Sequence, residues 1–300
     1  MLSKFTVQEV PIFDRVIRFF DFGNQDSLHS IYIQGHLHST EVNSFSTLCC
    51  LVEKLIDNHP SIRIRVVPTC NPFGWEIYLN GNDGRASLPG KMDWNRIFST
   101  VPKKDSTIEK ELANELWNLS HGFSQIIDVH TPDFGFPHVY TCEFDNRLLT
   151  FDDLPYAISD YTRDGSFQNL NYFEREISSF TLELPSYNIW TSLEQEYWAD
   201  RIREEINANE QQLSRISTSQ PQYWGKMVSL SSRISGVPLL LVKPNEVAKA
   251  NSEIFKVTSV EGQNEIISFE KDCIPLCFRR RGLIQAGRMI VKVLSLYETA

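Results

Sequence analysis

The chain has 300 residues, 41% of them hydrophobic and 22% charged, an ordinary balance for a globular protein with a full core. A formal net charge of -9 and a pI of about 5.3 exclude the basic surface that a nucleic acid or an anionic membrane would need, which leaves a small molecule or short peptide as the expected partner. No apolar run reaches the length of a membrane span and the first residues lack the apolar core of a secretory signal, so a cytoplasmic location is expected.

Residues 1–30 read as a short amphipathic opening without a motif. The apolar, β-branched run from Ile31 ends at Gly35 and reads as a strand, and His38 and Glu41 follow before the chain turns into a helix. An imidazole and a carboxylate at the carboxyl end of a strand suit a divalent metal, because open α/β sheets place ligands there. Two ligands from one turn and a third from elsewhere leave a coordination position open to water. His36 is the alternative ligand, although the H-x-x-E spacing fits only His38.

Phe45, Leu48, Cys49, Val52, Leu55 and Ile56 recur at helical spacing and predict a helix over Asn43 to Asp57, closed by His59-Pro60. Ile62, Ile64 and Val66 alternate with Arg63 and Arg65, the pattern of a half-buried strand. Pro68 to Phe98 reads as a long functional loop. Ile108, Leu112, Leu116 and Leu119 mark a helix from about Ser106 to Ser120. Ile126, Ile127 and Val129 form a strand that delivers Asp128 and His130 to its end.

Phe180 to Leu184 is another strand, with Glu183 inside an apolar run; a carboxylate there needs a partner or a task. Thr191 to Glu194 is a capping box opening a long amphipathic helix. After about Ser217 short β-rich runs alternate with Gly, Asn and Pro, and predict a small all-β C-terminal domain. The six cysteines form no C-x-x-C pair and read as reduced thiols, with Cys273 and Cys277 as an alternative redox or metal pair.

His38-x-x-Glu41, Asn71-Pro72-x-Gly74, Asp93-x-Asn95-Arg96, Asp128-x-His130 and Glu183 stand in the order of the zinc carboxypeptidase superfamily. Over Ile31 to Leu184 the chain resembles most its succinylglutamate desuccinylase/aspartoacylase branch. The resemblance implies one zinc ion per chain held by His38, Glu41 and His130, with Glu183 as general base and acid. It further implies a substrate carboxylate held by Asn95 and Arg96. Relatives also carry an arginine soon after the NPxG element to polarise the scissile carbonyl; Arg85 is the only arginine between Pro72 and Asn95, which makes it the candidate for that role. The DLNR element is DWNR in this chain.

The implied fold is α/β, a mixed and mostly parallel sheet with helices on both faces, which agrees with the strand–helix alternation. Residues 1–216 would form the catalytic domain and 217–300 the small β domain. The expected activity is hydrolysis of the amide bond of a small N-acyl amino acid. A carboxypeptidase acting on a peptide is the alternative, and a non-catalytic binding module is the third reading. Asp128 is either a support for His130 or a buried hydrogen-bond acceptor, and His138 either a substrate contact or an ordinary loop histidine. Tyr161 and Arg163 are possible substrate contacts, and Arg279-Arg280-Arg281 reads as a turn.

Overall fold

Between Arg15 and Phe19 the side chains of Ile17 and Phe19 are buried and those of Val16 and Arg18 exposed, the period-two signature of a strand. The N-terminal stretch, expected as a short amphipathic opening without a motif, is therefore a hairpin: β1 (Phe5–Ile12) pairs antiparallel with β2 (Arg15–Phe22) across a turn where Phe13 takes a φ of 52°. The computed structural model describes residues 5–82, 84–88, 92–98, 107–132, 135–142, 154, 156–159, 164–186, 191–210, 223–278 and 283–296. Tyr161, Arg163, Arg279 to Arg281 and the expected boundary at Ser217 lie outside them.

The elements that follow are β3 (Ser30–Gly35), α1 (Val42–Asp57), β4 (Arg63–Val67), α2 (Pro72–Leu79), α3 (Ile108–Leu119) and β5 (Gln125–His130). Then come β6 (His138–Thr141), β7 (Tyr156–Ser159), α4 (Phe167–Arg175), β8 (Ser178–Glu183) and α5 (Ser192–Glu210). The C-terminal part is all strand: β9 (Tyr223–Ser231), β10 (Val237–Leu240), β11 (Glu253–Thr258), β12 (Asn264–Ser268), β13 (Cys273–Phe278) and β14 (Met289–Leu296).

The stretch expected as a loop over Pro68 to Phe98 contains α2 and a single 3-10 turn over Trp94–Arg96. Asn71 caps α2 by accepting from the Gly74 N–H at 3.0 Å, and Pro72 takes the first helical position, where a missing N–H costs nothing. Glycine is required at 74, because a Cβ there would meet Ser39 Oγ at 2.6 Å and Asn71 Nδ2 at 2.7 Å.

The main sheet has the order β1-β2-β4-β3-β5-β8-β6-β7-β9-β14-β13. Its centre, β4-β3-β5-β8, is parallel, and antiparallel pairs enter on both flanks, so the sheet is mixed. Helices cover both faces. On one, Leu48, Leu51 and Leu55 of α1 and Trp198, Ile202 and Ile206 of α5 pack on Ile31, Ile33, Ile127, Val129, Phe180 and Leu182. On the other, Leu112 and Leu116 of α3 and Phe167 and Leu170 of α4 pack on Tyr32 and Ile126. Each fully buried side chain of this size stabilises the fold by about 1.5–3 kcal/mol.

The C-terminal strands do not all stand apart, as the expected small domain implied. β9, β14 and β13 extend the main sheet through a parallel pairing of β9 with β7, while β10, β11 and β12 make a separate three-stranded sheet. All six cysteines are free thiols. Among the described residues no helix is long and apolar enough to cross a membrane.

Candidate metal centre

The turn between β3 and α1 is fastened before any ligand is considered. Asn71 Nδ2 donates to the Leu37 carbonyl at 2.9 Å, Cys70 N–H donates to the Gly35 carbonyl at 3.1 Å, and Ser44 Oγ accepts from the His36 N–H at 3.0 Å. His36 itself has a φ of 59°, the left-handed conformation that non-glycine residues adopt mainly where surroundings impose it. Glu41 sits at the N-cap of α1 without capping it, since its carboxylate turns into the site.

There His38, Glu41 and His130 converge. All three are buried, and one ligand atom from each lies within 4.8 Å of the others. His38 Nδ1 is 2.7 Å from Glu41 Oε1 and His130 Nδ1 is 2.9 Å from Glu41 Oε2. The other nitrogen of each ring is held by a carboxylate: His38 Nε2 by Asp93 Oδ1 at 2.8 Å, His130 Nε2 by Asp128 Oδ2 at 3.0 Å. Those contacts make each Nε2–H the donor. Each Nδ1 then aims a lone pair at a carboxylate oxygen, an arrangement that repels unless a proton or a metal cation lies between.

The electrostatics agree. Burial opposes charge on His130, but Asp128 and Glu41 overcome it and hold its pKa well above the usual histidine value. Burial opposes charge on Glu41 too, and the two histidines outweigh it, so its pKa lies well below the carboxylate range. Asp93 behaves likewise: burial is overridden by His38 and Arg85, and its pKa is lowered. A field that binds protons so firmly also favours a divalent cation. Two neutral imidazoles and a carboxylate, their rings oriented by further carboxylates, are a donor set that fits zinc.

Asp128 belongs to a longer buried chain, because its Oδ1 accepts from Gln34 Nε2 at 3.0 Å and Gln34 Oε1 accepts from Tyr32 at 2.9 Å. It is therefore both things weighed from sequence, a partner of His130 and a satisfied buried acceptor. His36 stands outside the cluster, between Thr69 Oγ1 at 3.4 Å and the Ser39 carbonyl at 3.2 Å.

Glu183 ends β8 as the register partner of His130 on β5, which puts both side chains on one face of the sheet. The residue is half-buried, and its Oε2, shielded from solvent, has no hydrogen-bond partner among the described residues. Burial is the main cause of its raised pKa. A carboxylate so placed exchanges protons nearer neutrality than an exposed one.

The remaining expected residues divide. Arg85 reaches the cluster, with Nε 3.0 Å from Asp93 Oδ2 and Nη1 3.6 Å from Glu41 Oε1. Asn95 does also: its Nδ2 is 3.4 Å from His130 Nε2 and its Oδ1 accepts from the Phe167 N–H at 3.0 Å. Arg96 is held by Asp164, with Nη2 to Oδ2 at 3.1 Å, and by the Asn95 carbonyl. His138 is fully buried rather than in a loop, donating Nδ1–H to the Phe136 carbonyl at 2.7 Å.

Sequence reasoning missed the parts played by Asp93, Gln34 and Asp164. Asp93 carried one usable signal, an Asx turn in which Oδ1 accepts from the Asn95 N–H at 2.8 Å. That predicts the turn but not its contact with His38.

The fold is α/β, a mixed sheet between helices, and it carries a buried His–Glu–His cluster where its central parallel strands end. The chain is similar to a provisionally named succinylglutamate desuccinylase/aspartoacylase from Shewanella frigidimarina, with a TM-score of 0.82, 16% identity and 98% of each chain covered. A succinylglutamate desuccinylase/aspartoacylase from Rhodobacter sphaeroides matches with a TM-score of 0.74 at 14% identity, over 98% of this chain and 96% of that one. A metallo-carboxypeptidase from Burkholderia cenocepacia matches with a TM-score of 0.57 at 16% identity, over 71% of this chain and 66% of that one. No protein-family model and no curated protein matches the sequence. At these identities the likeness is one of fold, and the fold is the one that the motifs implied.

Proposed function

We propose that the protein is a zinc-dependent amidohydrolase that cleaves the amide bond of a small N-acyl amino acid, in the manner of the succinylglutamate desuccinylase/aspartoacylase group. The observation that carries this reading is the meeting of His38 Nδ1 and His130 Nδ1 on the two oxygens of Glu41, with Glu183 Oε2 close enough to feel both Glu41 and His130 and without a hydrogen-bond partner among the described residues. His38, Glu41 and His130 would hold the ion. The chemistry such an ion supplies when bound is Lewis acidity, which lowers the pKa of a water and polarises a carbonyl.

The chain's own residues do the rest. Glu183 takes a proton from the attacking water and returns it to the leaving nitrogen, which its raised pKa suits. Arg85 lies where its guanidinium can stabilise the oxygen that becomes anionic. Asn95 stands at His130 and Arg96 beside it, where they would orient a substrate carboxylate.

The deacylase reading is favoured over the carboxypeptidase by coverage. Neighbours of the first kind match the C-terminal strands as well, at 98% of this chain, whereas the carboxypeptidase matches 71%. The test is a panel of N-acyl amino acids beside C-terminally varied peptides, assayed with the zinc-loaded protein. Turnover of the acyl amino acids but not the peptides supports the proposal, and the reverse replaces it with the carboxypeptidase.

A further inference from the structure

One wall of the site is built by strands to which the reading above gives no task. On β6, His138 is the antiparallel register partner of Glu183, and Tyr140 follows two residues later, so both stand on the face that carries Glu183. From β13, Cys277 brings Sγ to 3.9 Å from His138 Nε2. Its register partner on β14 is Lys292, which therefore points the same way, with Nζ 5.9 Å from the centre of the Tyr140 ring. The positive charge is felt at Glu183 and at His138, favouring the ionised carboxylate of one and the neutral ring of the other.

The cations around the site differ in how far they are already engaged. Arg85 is paired with Asp93, and Arg96 with Asp164. Lys292 is half-buried, and no carboxylate among the described residues lies within ion-pair distance of it. The Tyr140 ring turns its face to it, and the neighbouring His138 is held neutral by burial. A partly desolvated ammonium that feels Glu183 only at a distance, with no carboxylate among the described residues in direct contact, gains from an arriving anion.

We propose that Lys292 is a specificity-determining residue whose ammonium binds a carboxylate of the substrate on the Glu183–Tyr140 side of the site, separately from any carboxylate held by Arg96. The inference rests on the deacylase reading for its substrate but not for its geometry.

The zinc-loaded wild type, Lys292→Met and Lys292→Arg are compared on N-succinyl-alanine and on its two mono-carboxamides, each of which lacks one carboxylate. The wild type is expected to lose about tenfold or more in kcat/KM on one of the two carboxamides. Lys292→Met should show the same loss in kcat/KM on the parent compound, and should treat that one carboxamide as the wild type does. Lys292→Arg should restore the parent. An equal loss on all three compounds, or no loss on any, overturns the proposal. Should the wild type turn over none of them, the deacylase reading is what fails, and the anchor is then judged by calorimetric binding of succinate. Binding about tenfold weaker in Lys292→Met supports it; equal affinity, or no binding to the wild type, overturns it.

Discussion

His130 Nε2 lies 3.0 Å from Asp128 Oδ2, two residues back on the same strand. Because side chains alternate along a strand, that spacing puts ring and carboxylate on one face, and the contact leaves Nδ1 free to face Glu41. Asp128→Ala should weaken zinc binding by about 10–100-fold, as expected for loss of the group that orients a ligand. Competition with a chromogenic chelator measures it, and an unchanged affinity would remove Asp128 from that role.

Metal analysis of the purified protein should give about one zinc per chain. His38→Ala and Glu41→Ala should each lose it, since either change removes one of three ligands. Retention of a full complement by both variants would show that the ion binds elsewhere.

Glu183→Gln should keep the metal and lower kcat by about 100-fold to 10,000-fold, the range for removal of a general acid–base group. The amide fills the same volume and cannot accept a proton. Activity within a few-fold of wild type in a metal-replete sample contradicts the role given to Glu183.

His138 supplies a pH signature separate from catalysis. Burial pushes its pKa down to about 4, whereas an unfolded histidine sits near 6.5. The unfolded chain therefore binds the proton first. Stability from this group is complete above about pH 6.5 and is lost as the pH falls through about 4, by roughly 3 kcal/mol in all. Urea unfolding of the wild type and His138→Gln across that window should give a shallower loss in the variant; identical slopes would sink the assignment.

Asp21 and Arg65 form a two-pronged ion pair on neighbouring strands, with Nε to Oδ1 and Nη2 to Oδ2 both at 2.7 Å, and Asp21 is buried. Removing one partner strands the other. Asp21→Ala should destabilise the fold by about 3–5 kcal/mol, read as a lower denaturation midpoint with an unchanged slope.

The parallel centre was legible from short β-branched, apolar stretches, Ile31 to Ile33 in one strand and Ile126-Ile127 with Val129 in another. Helix α1 declared itself by spacing. Helix α2 did not, because Asn71-Pro72 and Gly74 look like turn residues, although an Asn cap followed by Pro is also how a helix begins. Strand β13 was hidden by Pro275, which it tolerates beside an irregularity in its pairing with β14. His38 and Glu41 share one turn and could be paired on spacing alone. Lys292 could not, since it is a long-range contact, Cys277 against His138, that brings a residue of the last strand near Glu183.

The register of β7 with β9, Tyr156 to Tyr223, Ala157 to Trp224 and Ile158 to Gly225, stitches the first two-thirds of the chain to the last third within a single sheet. Backbone hydrogen bonds of that kind do not stretch. On the proposed function, the Glu41 cluster and Lys292 would thus face a substrate from positions held at a set span. Ligand length should accordingly be gauged as if by a fixed caliper, and molecules longer or shorter than that gap should be turned away, with no swing of one half of the molecule to accommodate them.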